Sequence, residues 1–510
     1  MNPKKLSLDG KSLTLEDLVD LDSGIAGLDG SARDAMRDAV AALRRIVDEG
    51  RVCYGVNTGF GAFANRRIDR DAVEQLQYNL VRSHACGVGE PLSRPIVRRA
   101  MLLKANSLAA GYSGARPLLV ETLLAFIKHD VTPIIPSRGS VAASGDLAPL
   151  AHMALAVIGE GEAMQGERKL VGAEVMAAID RDPVKLEAKE GLAMINGTQI
   201  STAMTLEGLY LAERLLRASI AGGALSVEAL AGSFVPFDER IHAASQLAGQ
   251  QRVAAQLRKL LSASEINDAH VDCDRVQDPY SLRCMPQVFG AVWDTLNHAG
   301  TVLARQINGV TDNPLIFGDE VLSGGNFHAE PLGFVSDFMS VATAELGSIA
   351  ERRIDLMERR INPNLNMFLT SEPGLESGYM IAHVTATALV SENKTLAHPA
   401  SVDSLPTSAG QEDHVSMATW AALKLNQICD NVCNILAIEL IAAAHAIDKQ
   451  RPLHTTAALE KLHAWLRESI SFDPADHRHD VEIAHVAKAI KRGDLDRFMP
   501  QRDLTDVFQR

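Results

Sequence analysis

Aromatic residues make up only 5% of this 510-residue chain, and its 6 cysteines are scattered. With so few aromatics, a core must be built from small and aliphatic side chains. Ala and Leu are abundant, and both lose little on entering a helix. Cys53, Cys86, Cys273, Cys284, Cys429 and Cys433 show no paired spacing, which speaks against a disulfide scaffold and suits reduced thiols in a cytoplasm. Cys429 and Cys433 would share one face of a helix. A metal pair there would need matching ligands nearby, and the sequence around them offers none, so two small core residues are the better account. Positive charge is short as well, with 50 basic against 64 acidic residues and a net charge of -14. That balance excludes a general attraction to nucleic acid or to anionic lipid. No uninterrupted apolar stretch reaches the length of a membrane span, and Met1-Asn-Pro-Lys-Lys5 is not followed by the apolar run of a secretory signal. Neither a membrane nor a nucleic-acid partner is expected, and the expected compartment is the cytoplasm.

What is present points to helices. The length exceeds what one core usually supports, so two or three regions are expected. Residues 31–49 carry Ala35, Val40, Leu43, Ile46 and Val47 at helical spacing, with Ser31 as a plausible N-cap and Gly50 as a stop signal. Pro117 opens another helix with Leu119, Leu123, Phe126 and Ile127 on one face. Between them, Tyr54-Gly-Val-Asn-Thr-Gly-Phe-Gly-Ala-Phe63 reads as a mobile glycine-rich loop. From about Gly333 the pattern turns to long helices. Val335, Phe338, Ala342, Leu346 and Ile349 form one stripe, and Met380, Val384, Thr387 and Ala388 a second. The run His414 to Ala446 forms a third, with Leu425, Ile428, Val432 and Ile435 on a face and no glycine or proline. Strand signals are few, Val131-Thr-Pro-Ile-Ile135 among them. The expected fold is mainly α, with a helical and loop-rich N-terminal region over 1–200 followed by a long-helix bundle over 201–510.

The run Gly139-Ser-Val-Ala-Ala-Ser-Gly-Asp-Leu-Ala-Pro-Leu-Ala-His152 places three very small residues, Ala143-Ser144-Gly145, in a loop that leads into a helix. Taken alone, these residues describe a tight turn before a helix capped by Asp146 better than they describe a reactive centre. The surroundings change that balance. They include Tyr54-Gly-Val-Asn-Thr-Gly-Phe-Gly61, Ser83-His84, Asn196-Gly-Thr-Gln199, Gln277-Asp-Pro-Tyr-Ser-Leu-Arg283, Asp312-Asn-Pro-Leu315, Gly324-Gly-Asn-Phe-His-Ala-Glu330 and Gln411-Glu-Asp-His-Val-Ser416. With these segments in this order, nearly end to end, the chain resembles the aromatic amino acid ammonia-lyase family.

That resemblance implies a prosthetic group made from the chain itself, a methylidene-imidazolone formed from Ala143-Ser144-Gly145, with no external cofactor and no metal. Cyclisation needs the Gly145 nitrogen to reach the Ala143 carbonyl carbon, a compressed backbone that bulky side chains would block. Loss of two waters then turns the Ser144 side chain into an exocyclic methylidene, an electrophile that none of the twenty side chains supplies. The helix after Asp146 would aim its positive end at charge developing on the ring. By resemblance Tyr280 takes the β-proton and Tyr54 is its partner over the site. A free tyrosine titrates near about 10, so such a base needs its phenolate favoured by nearby positive charge or hydrogen bonds. Arg283, three residues after Tyr280, is implied to hold the substrate carboxylate. Asn196 and Gln277 are implied to line the site, and Phe327 to pack beside the ring. The family also implies a homotetramer whose sites combine loops of several subunits.

His84 and Glu412 bear on the substrate. Family members that take histidine resemble this chain at both places, whereas relatives that take phenylalanine tend to carry an apolar residue and a glutamine there. Glu412 can accept an imidazole N–H, with His84 in the complementary role on the other nitrogen. A carboxylate facing a phenyl ring would be left unpaired at a cost of about 1 kcal/mol or more. The expected reaction is the release of ammonia from L-histidine. A tyrosine-using lyase, an aminomutase of the same family, and a helical binding protein that has lost the prosthetic group stay open. Cys86 and Asp272-Cys-Asp-Arg275 depart from the family pattern without touching these roles. Ser391-Glu-Asn-Lys394 fits a hydrolase spacing but lies in a helical setting without companion motifs. His477, His479 and His485 could gather near the end of the chain, outside the matched segments, which leaves a non-catalytic divalent ion open.

Overall fold

Nearly every residue of the helix Gln199–Ala229 is buried, so it shows little amphipathic periodicity and is wrapped on all sides. Around it pack the helices Arg94–Ala109, Ala248–Leu261, Met285–Gln306, Glu330–Glu358 and Ala418–Asp448. The computed structural model describes residues 6–19, 21, 24–59, 61–63, 65–270, 275–359, 361–470 and 475–499. Expectations that fall on Met1 to Lys5, Phe60 or Asp272 to Asp274 lie outside the described residues. The mainly helical expectation holds. One apolar cluster runs from Leu8 to Met499 through both sides of residue 200.

Small residues let the helices approach closely. A Cβ on Gly249 would stand 2.2 Å from the Gly290 carbonyl oxygen, so Ala248–Leu261 and Met285–Gln306 cross backbone to backbone. The centre also holds a buried ion pair. Arg353 donates twice to Glu439, at 2.5 and 2.9 Å, and Ser226 Oγ donates to the same carboxylate at 2.7 Å, which ties three helices together. Charges withdrawn from water in this way need every partner in place.

The N-terminal region matches its pattern with one correction. The helix Gly30–Asp48 is capped by Asp29, whose carboxylate accepts from Ser31 N at 2.8 Å and from the Ser31 hydroxyl at 2.6 Å, so Ser31 is the capped residue rather than the cap. Pro117 opens Pro117–Lys128 as expected. Val131–Pro133 is a strand, antiparallel to Glu162–Gln165, which pairs in turn with Arg168–Val171.

The long helices also bring corrections. The third begins at Ala418, not His414, because Met417 adopts φ +53° and donates its N–H to the Val141 carbonyl. This Ala418–Asp448 helix is apolar and long enough to cross a membrane, but most of its apolar window is buried inside the bundle. Cys429 and Cys433 are buried core residues in it. Val384, Thr387 and Ala388 are exposed on Met380–Leu396, whose buried face is Ala382, Ala386 and Val390. Phe338 is likewise exposed beside Phe334 and Val341. Periodicity reveals an apolar face without saying whether this chain or another covers it.

Candidate active site

Ala143, Gly145 and Asp146 are buried, and Ser144 alone of this run is partly open. The loop is held in a sharp bend. Ala142 takes φ +52° and Gly145 φ +73°, both in the left-handed region. At Gly145 a Cβ would stand 2.2 Å from the Gly197 carbonyl oxygen, so only glycine fits. Asp146 N donates to that same oxygen at 2.7 Å. On the other flank, Ser416 Oγ donates to the Ala142 carbonyl at 3.2 Å.

Asp146 precedes the helix Leu147–Val157 but its side chain makes no capping bond. Instead it accepts from Ser201 N at 2.8 Å, Ser201 Oγ at 2.6 Å, Thr419 Oγ1 at 3.0 Å and Ser140 Oγ at 3.3 Å. This corrects the capping role and makes Asp146 the anchor between the loop and two bundle helices. Burial raises its carboxyl above the usual range, and these four donors oppose that shift. Sequence reasoning also missed Lys104, which donates to the Asn196 carbonyl at 2.6 Å and to that of Ala193 at 3.1 Å. Burial pulls this ammonium down to about 7, with Asp312 opposing and Lys189 adding to the effect. Its signal was its place inside the apolar run Met101-Leu-Leu-Lys-Ala105.

The structure gathers six of the expected residues. A cleft of about 780 Å³ is lined by Tyr54, His84, Ser144, Asn196 and Glu412. An adjoining cleft of about 430 Å³ shares Tyr54, Ser144, Asn196 and Glu412 and adds Phe327. Asn196 donates to the Ser144 carbonyl at 3.2 Å, and its own buried Oδ1 has no hydrogen-bond partner among the described residues. Ser144 Oγ donates to Glu412 Oε1 at 3.0 Å, and Thr407 Oγ1 donates to the other Glu412 oxygen. Tyr54 sits in a turn braced by Asn57, which accepts from Cys53 N at 2.8 Å and donates to the Arg51 carbonyl at 2.7 Å. The Tyr54 hydroxyl accepts from Gly61 N at 3.3 Å.

His84 ends the helix Val73–His84, and its Nδ1 lies 2.8 Å from the Leu80 carbonyl. A carbonyl only accepts, so Nδ1 carries the proton. Burial lowers the imidazole's proton affinity, against opposing contributions from Leu80 and Glu412. In the neutral ring Nε2 is therefore an acceptor. His84 and Glu412 both present acceptors to the cleft.

Three expected residues stand elsewhere. Tyr280 and Arg283 open and close the short helix Tyr280–Arg283, with the guanidinium carbon 5.4 Å from the phenol ring centre. The shared helical turn is as expected. Tyr280 is 73% exposed and Gln277 is exposed too. This segment is held at the C-terminal end of Gln199–Ala229, where Arg275 donates to the Leu230 carbonyl and Ser233 N donates to Asp278. Asn196 and Ser144 lie at the opposite end of that helix. Thirty-one residues at 1.5 Å each separate the two ends by about 45 Å. Within one chain, Gln277, Tyr280 and Arg283 do not reach Ser144.

A family model of aromatic amino acid lyases matches residues 13–468. The histidine ammonia-lyase of Burkholderia pseudomallei (strain 668) is 52% identical over 466 residues, covering 91% of this chain and 92% of that one. Among solved structures, histidine ammonia-lyase from Trypanosoma cruzi superposes with a TM-score of 0.90 at 38% identity, covering 99% of this chain and 98% of the other. Tyrosine aminomutase from Streptomyces globisporus gives 0.91 at 34% identity, with 97% and 98% covered.

Proposed function

The chain belongs to the aromatic amino acid lyase family, and from that premise we propose that it deaminates L-histidine without oxidation, giving trans-urocanate and ammonia. The observation that carries this reading is Glu412, a carboxylate 3.0 Å from the Ser144 hydroxyl in the cleft that His84 also lines. Two acceptors there suit an imidazolium, which carries an N–H on each nitrogen, and a phenyl ring would leave both unpaired.

The loop fits a methylidene-imidazolone made from Ala143-Ser144-Gly145. Gly145 occupies a position no other residue can take, the flanks are pinned by Ser416 and by Ser201, and Asn196 is bonded to the Ser144 carbonyl. Such a group supplies an electrophile that makes loss of ammonia feasible. Asn196 positions the group, Glu412 and His84 hold the imidazole ring, and Phe327 closes one side of the cleft. Tyr54 places its hydroxyl among them. Each site is completed by Tyr280, Arg283 and Gln277 of a second copy. Tyr280 is the base for the β-proton, Arg283 binds the substrate carboxylate, and Gln277 lines the site.

This requires self-association, and a homotetramer is the assembly we infer. Its support is the apolar surface exposed on two helices, Phe334, Phe338 and Val341 on Glu330–Glu358 and Ile381 and Val384 on Met380–Leu396, which a second copy would cover. The cysteines among the described residues are unpaired, which suits the cytoplasm. The direct test mixes purified protein with L-histidine and follows the ultraviolet absorbance of urocanate, with L-tyrosine and L-phenylalanine alongside. Turnover of histidine well above the other two is expected. Product from tyrosine or phenylalanine alone would overturn the substrate assignment.

A further inference from the structure

We propose that His477, His479 and Glu482 bind a transition-metal dication of the zinc class, clamping the start of the C-terminal helix His479–Arg492. The Nε2 of His477 lies 3.1 Å from Glu482 Oε2, and Nδ1 of His479 lies 3.8 Å from the same oxygen. One ligand atom from each of the three residues falls within 4.8 Å of the others. A tetrahedral zinc ion with bonds of about 2.0–2.2 Å spaces its ligand atoms by roughly 3.3–3.6 Å. The observed spacings bracket that range. His485, which the sequence suggested as a third histidine, is exposed, and Glu482, one helical turn beyond His479, takes its place.

The hydrogen bonds argue for a cation at this point. His477 Nδ1 is 2.9 Å from the Ala475 carbonyl and must donate to it. In the neutral ring this leaves the Nε2 lone pair facing a carboxylate oxygen, a repulsive contact unless a positive charge lies between. The same bond is the outer-shell support that orients a ligating histidine. Among the described residues, the buried His479 Nδ1 has no hydrogen-bond partner. The rings are packed in place, with His477 and His479 centres 4.5 Å apart and the buried Tyr379 ring 4.7 Å from His479. Asp476 adds a second carboxylate nearby and accepts from Ser377 N and Gly378 N, joining this segment to the loop before Met380–Leu396.

The role is structural. Tyr379 also packs on His445, near the C-terminal end of Ala418–Asp448, while the opposite end of that helix meets the Ala142 loop. Twenty-seven residues at 1.5 Å put about 40 Å between them. The other cluster of this kind among the described residues, His328, Glu330 and His414, stands at the mouth of the catalytic cleft and belongs to that site.

The alternative occupant is a proton, which would make His477 and Glu482 a plain ion pair. Chelator-treated full-length protein is titrated with Zn²⁺ by calorimetry and with Co²⁺ by visible absorption, beside His479→Ala and Glu482→Gln. Circular dichroism and oligomer size establish that each variant is folded, and His479→Gln replaces His479→Ala if that one is not. The expected result is one equivalent per chain present in the parent and lost in the variants. Zn²⁺ should raise the parent's melting temperature alone, with histidine turnover unchanged. Absence of Zn²⁺ binding, or the same number of equivalents in the folded His479 variant, overturns the proposal.

Discussion

Ser144 Oγ donates to Glu412 Oε1 at 3.0 Å across 268 positions of sequence. Thr407 holds the second carboxylate oxygen, so Glu412 is aimed at the loop. In the proposed prosthetic group the Ser144 hydroxyl would be gone, which would leave Glu412 Oε1 open to a substrate N–H. Glu412→Gln removes the charge and keeps the shape. We expect kcat/KM for histidine to fall by about 100-fold or more, on the order of 3 kcal/mol, with little change in melting temperature. Undiminished kcat/KM would remove Glu412 from substrate binding.

Ser144→Ala should fold, lack the two-water deficit in intact mass and turn over almost no histidine. Gly145→Ala should lose the same deficit for another reason. Its Cβ meets the Gly197 carbonyl at 2.2 Å and its backbone sits at φ +73°, so destabilisation of about 2 kcal/mol or more is expected as well. Comparing melts separates the two variants, and a dehydrated, active Gly145→Ala would contradict the steric argument.

The separation of Tyr280 from Ser144 by the length of Gln199–Ala229 predicts complementation. Tyr280→Phe and Ser144→Ala should each be nearly inactive alone. Co-refolded, they should form some sites with both residues intact and regain measurable turnover. Mixtures no more active than the separate variants would count against sites shared between copies.

His383 joins two bundle helices. Its Nε2 lies 2.8 Å from Glu351 and its Nδ1 3.0 Å from Glu358, so both nitrogens carry protons. Hydrogen bonds to Glu351 and Glu358 raise its pKa to about 9. The unfolded imidazole releases its proton near 6.5, so the folded state binds more protons between about 6.5 and 9. This contribution is fully present below that window and is lost as pH rises through it. His383→Gln should cost about 1–2 kcal/mol at neutral pH and progressively less toward pH 10, as denaturant melts at several pH values would show.

The sequence by itself determined the helical class, the family and the small-residue loop at 143–145, because these depend on local propensity and on short runs of residue types. Residue runs do not encode which apolar stripe faces inward, so the exposure of Phe338 and of Val384 emerged only from packing. Asp146 read as a cap because the rule for caps is local, while its actual partners, Ser201 and Thr419, come from distant helices. Lys104 carries no motif of its own, and only burial sets its ammonium against the Asn196 carbonyl. Only the tertiary structure decided that Glu412 meets Ser144 while Tyr280 does not, since a rigid helix of 31 residues fixes one distance as surely as folding closes the other.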